Sequence, residues 1–407
     1  MKKERELLSE MKVAWLIPSM ERGFCWLPVL EKLSNLFPET TVYTGLGPLD
    51  QSIRNLKFKL KIVGKTRFFR YRRKKKSHYD KGIIILSPYI IFHLLKFSPK
   101  VIFTHAFSVW TIIALLLKPF MGWRIIIAYD GSAPTVDARK SRLRLFGRKL
   151  MTLLSDSLMT NSDSGKTYLV QILKAKKELV FVRPYMVSDI KYLSQKEISV
   201  KSMLGDIKRP VFLYAGLLIQ RKGLNYLIEA LGILKREGCD NYTLVIVGDG
   251  PMRKELRDMV KKEGLDERVI WIGWVEYASL GSYLAFADVF VFPTLEDLWG
   301  TVVLEAMAFA NPVVCSELAG SVEMVKDGEN GYRFNPAHDK PEVLSNILRK
   351  FIDDPDLIQR MGEKSKKIAS LHTPEAAANY MKYVIEFVLG YRDRASMEFG
   401  EYTQEQI

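Results

Sequence analysis

"DVFVFPTLEDLWGTVVLEAMAFANPVVCS", residues 288–316, decides the fold class. An apolar run closed by Pro293 is followed by a polar loop, a second apolar run opened by Gly300, and a third that starts at Pro312. The segment reads as strand (288–293), loop, helix (300–310) and strand (312–316), a single β-α-β unit whose strands are apolar on both faces. Val302, Ala306 and Phe309 form the predicted buried stripe of that helix. Two carboxylates frame it, Asp297 in the loop and Glu305 inside the helix. At helical rise their separation is about 12 Å. Glycosidase pairs that share one bond stand closer, about 5 Å apart when retaining and below about 10 Å when inverting. The spacing therefore suits two acids holding the ends of one long ligand, with a helix N-terminus between them. The alternative is a loop carboxylate near the helix start and a solvated Glu.

The same alternation extends in both directions. "PVFLYAG" (210–216), "YTLVIVG" (242–248) and "RVIWIG" (268–273) are predicted strands of the same series. After the first comes a helix whose Leu224, Leu227, Ile228, Leu231 and Leu234 keep helical spacing and mark a core face. An earlier series runs through "KVAWLIP" (12–18), "TTVYTG" (40–45), "KVIFTH" (100–105), "WRIIIAYD" (123–130), "SLMTN" (157–161) and "ELVFV" (178–182). The polar stretch 184–209 is the predicted linker, and one long helix is predicted beyond His372. The expected organisation is α/β, with two Rossmann-like doubly wound domains facing across a cleft. Residues 1–190 form the first and 208–372 the second, and the helix of 373–407 packs back on the first.

At 407 residues the chain exceeds one core. Cys25, Cys239 and Cys315 are far apart, which gives neither a disulfide framework nor a metal cluster and fits a reducing cytoplasm. "MKKERELLSEMK" has charge but no apolar core for a signal peptide. The most apolar stretch, Val109 to Ala128, is broken by Lys118, Pro119 and Arg124, and reads as a buried helix followed by a strand. The formal net charge of +15 is uneven: thirteen Lys or Arg lie between Arg54 and Lys81 against Asp80 alone, with Phe68, Phe69 and Tyr71 among them. Nucleic acid, an anionic membrane surface or an acidic substrate would each use such a run, and the alternative is a solvated loop whose charge only aids solubility.

Three strand-to-helix turns carry glycine. In "YAGLLIQRKGL" (214–224), Gly216 permits close backbone approach, and Arg221 and Lys222 precede a helix. Cations there oppose the helix dipole unless an anion joins them, so a diphosphate is the expected ligand. Gly300 and Thr301 would offer backbone N–H groups to the same anion. "VGDGPMRKEL" (247–256) reads as a structural turn. No P-loop, dinucleotide fingerprint or zinc motif is present, so no metal and no cofactor are expected. His105, at a strand end, is a wall residue or a participant at the ligand.

Taken in order, "GLLIQRKG", "VGDGP", "WIGWV", "ADVFVFPTLEDLWGTVVLEAMAFANPVV" and "DGENGYRFNP" resemble the nucleotide-binding half of retaining family-4 glycosyltransferases of the GT-B fold, from about Phe212 to Pro336. The resemblance implies a UDP-, GDP- or ADP-sugar donor, a glycan or lipid-linked acceptor and no metal. It assigns Glu305 to the ribose hydroxyls and Asp297 to the sugar, with the diphosphate at Gly300, Thr301 and Lys222. Arg221 supplies further charge, Gly216 the close approach, Gly273 to Val275 line the base, and Gly23 approaches from the first domain. Such enzymes commonly carry His where this chain has Asp130, so either Asp130 or His105 meets the sugar. Asp297 stands where Glu is usual, with Glu296 one residue out of register. An anionic membrane is the expected partner of the basic run, on the cytoplasmic face, and nucleic acid is not expected. A sugar-nucleotide epimerase of the same fold is the alternative enzyme, and a nucleic-acid-binding protein using residues 54–81 the alternative from another class.

Overall fold

The computed structural model describes residues 10–20, 26–47, 58–64, 66–70 and 82–393. It divides into two compact units. The described residues up to Val187, with the segment from Thr373 onward, form the first, and Ser188–His372 forms the second. Both are Rossmann-like α/β domains built on parallel sheets.

The first unit carries strands β1 (Val13–Ser19), β2 (Thr40–Leu46), β3 (Lys59–Ile62), β4 (Arg67–Arg70), β5 (Gly82–Ile85), β6 (Val101–His105), β7 (Arg124–Tyr129), β8 (Ser157–Thr160) and β9 (Val180–Val182). Seven of them pair in parallel in the order β3-β2-β1-β6-β7-β8-β9, and β4 and β5 form a separate antiparallel pair. Val13 to Ile17 are fully buried, as both-face burial of a central parallel strand requires. Strand order reverses between β1 and β6, and ligands bind beyond strand ends at such a reversal. The helix Pro374–Val388 packs on the helix Leu27–Leu36, and Phe387 meets Phe181 edge-on at 5.1 Å.

The second unit carries β10 (Val211–Ala215), β11 (Thr243–Val247), β12 (Val269–Gly273), β13 (Val289–Phe292), β14 (Val313–Ser316) and β15 (Gly331–Phe334), ordered β12-β11-β10-β13-β14-β15. Its reversal lies between β10 and β13. Leu224, Leu227, Ile228, Leu231 and Leu234 are all in the core, the face that their spacing predicts. Each such side chain contributes roughly 1.5–3 kcal/mol when fully buried.

Four expectations need correction. The predicted linker 184–209 is structured: helices Ile190–Leu193 and Val200–Leu204 lie in it, and the second unit begins at Ser188. The helix after Gly300 is Thr301–Ala308, and its buried residues are Val303 to Met307, whereas Val302 and Phe309 are half-buried. It packs against both β14 and the helix Asp356–Ser370, so burial surrounds it and no stripe defines it. The stretch from Val109 is not wholly buried, because the helix Val109–Met121 exposes Ile112, Leu116 and Phe120. Finally, part of the basic run is edge strand β3, where Lys59 pairs with Glu39 at 3.0 Å. Gly23, Cys25 and most of the Arg54–Lys81 run lie outside the described residues.

Candidate functional site

In the second unit the candidate residues gather beyond the carboxyl ends of β10 and β13, the two strands at the reversal of order. Leaving β10, the chain passes Gly216, makes a short 3₁₀ turn Gln220–Lys222, and enters the helix Leu224–Arg236 through Gly223 at φ 67°. Only glycine suits Gly223, because a Cβ there would stand 1.9 Å from the Pro293 carbonyl oxygen. This close approach brings the turn against the loop after β13. The backbone N–H of Leu295 donates to the Arg221 carbonyl at 2.7 Å, and Thr294 Oγ1 donates to the same carbonyl at 2.9 Å.

The two cations of that turn meet Asp297. Lys222 Nζ donates to Asp297 Oδ2 at 2.5 Å, and Arg221 Nη1 reaches the same oxygen at 3.2 Å. Lys222 also lies over the Phe292 ring, 4.8 Å from its centroid. All three charged side chains are nearly buried, at 12–13% exposure. Burial alone would raise the Asp297 carboxyl, but Lys222 and Arg221 outweigh it and hold the group below the usual range. Opposed cations at a helix start predict an anion, and the chain supplies one itself from a neighbouring loop. Glu296 is buried beside them, and its carbonyl accepts from Arg221 Nη1 at 3.1 Å.

Gly300 follows at φ 89° and precedes the helix Thr301–Ala308, which no side chain caps. The N–H groups of its first turn therefore have no side-chain acceptor and suit an anionic ligand. Glu305 lies inside this helix at 3% exposure. Its Oε1 accepts from the Ser188 hydroxyl and from the Tyr277 hydroxyl at 2.5 Å, and Tyr277 Oη stands 2.6 Å from Ser188 Oγ. Burial pushes the Glu305 carboxyl above the ordinary glutamate range, and the two hydroxyls only partly offset this. Asp297 precedes the helix, so helical rise does not apply along the whole stretch between the two acids. Gly273 ends β12 at φ 87° and its carbonyl accepts from Gly248 N–H at 2.7 Å; Val275 follows two residues on, past the exposed Trp274.

Ser188 and Tyr277 were not legible in the sequence. Ser188 sits in a polar stretch without period, and Tyr277 in a short 3₁₀ turn after "WIGWV", so neither carries a local signal.

In the first unit, His105 and Asp130 form one hydrogen-bonded pair. His105 Nε2 lies 2.8 Å from Asp130 Oδ2, Tyr185 Oη donates to Asp130 Oδ1 at 3.1 Å, and Asn161 Nδ2 donates to the Asp130 carbonyl at 2.8 Å. Trp26 packs on both rings, 5.5 Å from His105 and 5.4 Å from Tyr185. Burial alone would lower His105, yet the Asp130 charge and hydrogen bond outweigh it and raise the imidazole above its ordinary value. Among the described residues, no group of three or more His, Cys, Asp or Glu is placed to hold a metal ion.

The pattern in the second unit is matched by the family model for glycosyl transferases group 1 over residues 195–368. The chain is 32% identical over 170 residues to an alpha-D-kanosaminyltransferase of Streptomyces kanamyceticus, a match that covers 42% of this chain and 43% of that one. A glycosyltransferase of Methanocaldococcus jannaschii is 34% identical over 197 residues, with 46% and 50% covered. The chain thus matches about half the length of these relatives. In structure, Anabaena HepE in complex with UDP superposes with a TM-score of 0.75 at 18% identity, over 93% of this chain and 100% of HepE. At that identity the likeness fixes the fold, which is that of GT-B glycosyltransferases.

Proposed function

We propose that the chain is a retaining glycosyltransferase of the family-4 kind, which moves a sugar from a nucleoside-diphosphate sugar to a glycan or lipid-linked acceptor without a metal. The observation that carries this reading is the arrangement beyond β10 and β13: a cation pair, an uncapped helix start and a buried carboxylate, in chain order. Glu305 accepts hydrogen bonds from the ribose hydroxyls, which take over from Ser188 and Tyr277. The diphosphate lies at Gly300 and Thr301 and draws on Lys222 and Arg221. Gly216 and Gly273 leave room for backbone approach, and Val275 borders the base.

In transfer, the bond from the sugar C1 to the β-phosphate oxygen breaks and a bond from C1 to the acceptor oxygen forms on the same face. The acceptor proton passes to the departing phosphate. Lys222 and Arg221 stabilise the charge that develops on that diphosphate. Asp297 holds the two cations in position and meets the sugar hydroxyls. The basic run Arg54–Lys81 attaches the protein to the cytoplasmic face of an anionic membrane, where no helix of the described residues is long and apolar enough to cross.

Thermal denaturation with UDP, GDP and ADP tests the donor site. One of them at about a hundredfold excess over its Kd should stabilise the native state by about 2.7 kcal/mol. No shift with any nucleotide would overturn the reading. The sugar-nucleotide epimerase is separated by incubating donor without acceptor, which an epimerase turns over.

Asp297→Asn should reduce turnover more than Glu296→Gln, and it should destabilise by about 2–4 kcal/mol because two nearly buried cations lose their counter-charge. Turnover and urea unfolding of both variants check this, and a larger loss for Glu296→Gln would reverse the assignment.

A further inference from the structure

The first unit exposes an apolar face on three neighbouring helices, and we propose that this face docks on the surface of an anionic lipid bilayer. The helices Ile90–Phe97, Val109–Met121 and Arg142–Leu154 bury Leu94, Trp110, Ala114 and Met151 in one shared core. Their opposite sides carry large apolar groups at helical spacing. Ile112, Leu116 and Phe120 line one helix, and Leu143, Phe146, Leu150 and Leu153 line the next. Phe92 and Leu95 add the third. Exposure reaches 80% at Phe120, 82% at Leu143 and 75% at Leu153. Single exposed hydrophobics are ordinary, but stripes that align on adjacent helices form a patch that water covers poorly.

Charge selects the occupant. Between Gly82 and Ser155 the sequence has ten Lys or Arg and two acids, Asp130 and Asp137. Neither acid serves this face: Asp130 bonds His105 and Tyr185, and Asp137 is fully buried and paired with Arg139. Lys96, Arg142 and Arg144 are exposed on the same helices as the apolar stripes. A second copy of the chain would bring like charges together. A nucleic acid would use the cations and leave Phe and Leu in water. An anionic bilayer accepts both, with the cations at the headgroups and the apolar side chains at the acyl boundary. This inference rests on the membrane reading above and gives it a described surface.

The test is co-sedimentation of the full chain with mixed phosphatidylglycerol–phosphatidylcholine vesicles and with phosphatidylcholine alone. The wild type should bind the mixed vesicles and only weakly the neutral ones. Replacing Phe120, Phe146 and Leu153 together by Gln should lower partitioning about a hundredfold, because three exposed anchors are lost and the core is untouched. Arg142→Gln with Arg144→Gln should reduce binding to mixed vesicles alone. Circular dichroism and an unchanged nucleotide-induced thermal shift confirm that each variant folds. If the triple variant binds like the wild type while a variant neutralised from Arg72 to Lys76 does not, the face is wrong and the membrane reading survives. If the wild type binds neither vesicle, both fail. Self-association that the triple variant abolishes, without vesicle binding, would assign the face to a second copy and overturn the proposal.

Discussion

Glu305→Gln should weaken donor binding by about a hundredfold and leave the protein as stable as the wild type or more so at pH 8. The two effects share one cause. Glu305 is buried, and only two hydroxyls compensate its charge, so its carboxyl titrates above the ordinary glutamate range. A carboxyl with a raised native pKa binds its proton more tightly folded than unfolded. Its contribution to stability therefore falls as pH rises from the unfolded glutamate value through the native one. As pH rises through the native value the wild type comes to bear the cost of an ionised, buried carboxylate, and glutamine bears none. The amide oxygen still accepts from Ser188 and Tyr277, so no cavity forms. The charge is needed for function, because hydrogen bonds to a charged group are worth about 1.5–3 kcal/mol against about 1 for a neutral pair, and two ribose hydroxyls lose that difference. Urea unfolding at pH 5 and pH 8 and titration with nucleotide check both halves. The stability difference between variant and wild type should grow with pH, and donor affinity should rise with pH in the wild type alone. Unchanged affinity in the variant would remove Glu305 from the ribose.

The parts legible in the sequence were those written locally. Strands apolar on both faces, alternating with helices, could only be buried in parallel sheets, and both sheets follow. The helix Leu224–Arg236 declared its core face because its leucines keep helical spacing. The helix Thr301–Ala308 did not, since sheet and helix cover it together. The site was legible as a set of polar groups at strand ends but not as a network. Ser188 and Glu305 are 117 residues apart, Lys222 and Asp297 are 75, and no local pattern announces either contact. The Val109–Met121 helix misled for another reason. Hydrophobicity marks surface that avoids water, and it does not distinguish a core from a face meant for a partner.

Lys222→Ala should cost about a thousandfold in kcat and about 3 kcal/mol in stability. Lys222 is bound from two sides, by Asp297 Oδ2 at 2.5 Å and by the face of Phe292. Truncation leaves the Asp297 carboxylate nearly buried with Arg221 alone at 3.2 Å. Breaking a buried pair by removing one partner costs about 3–5 kcal/mol, and the remaining guanidinium places this case at the low end. The kinetic loss has a different origin. A preorganised cation aimed at a departing diphosphate acts on charge that exists only in the transition state, and losing one such group costs about 10²–10³ in rate. Asp297→Asn in the Lys222→Ala background should recover little of the stability, because the nearly buried Arg221 then loses its counter-charge, and none of the transfer. Urea unfolding of the two single variants and the double variant gives the coupling energy, and single-turnover transfer gives the rate. Near-normal turnover in Lys222→Ala would remove Lys222 from the leaving group. Restored turnover in the double variant would show that Lys222 acts only by neutralising Asp297.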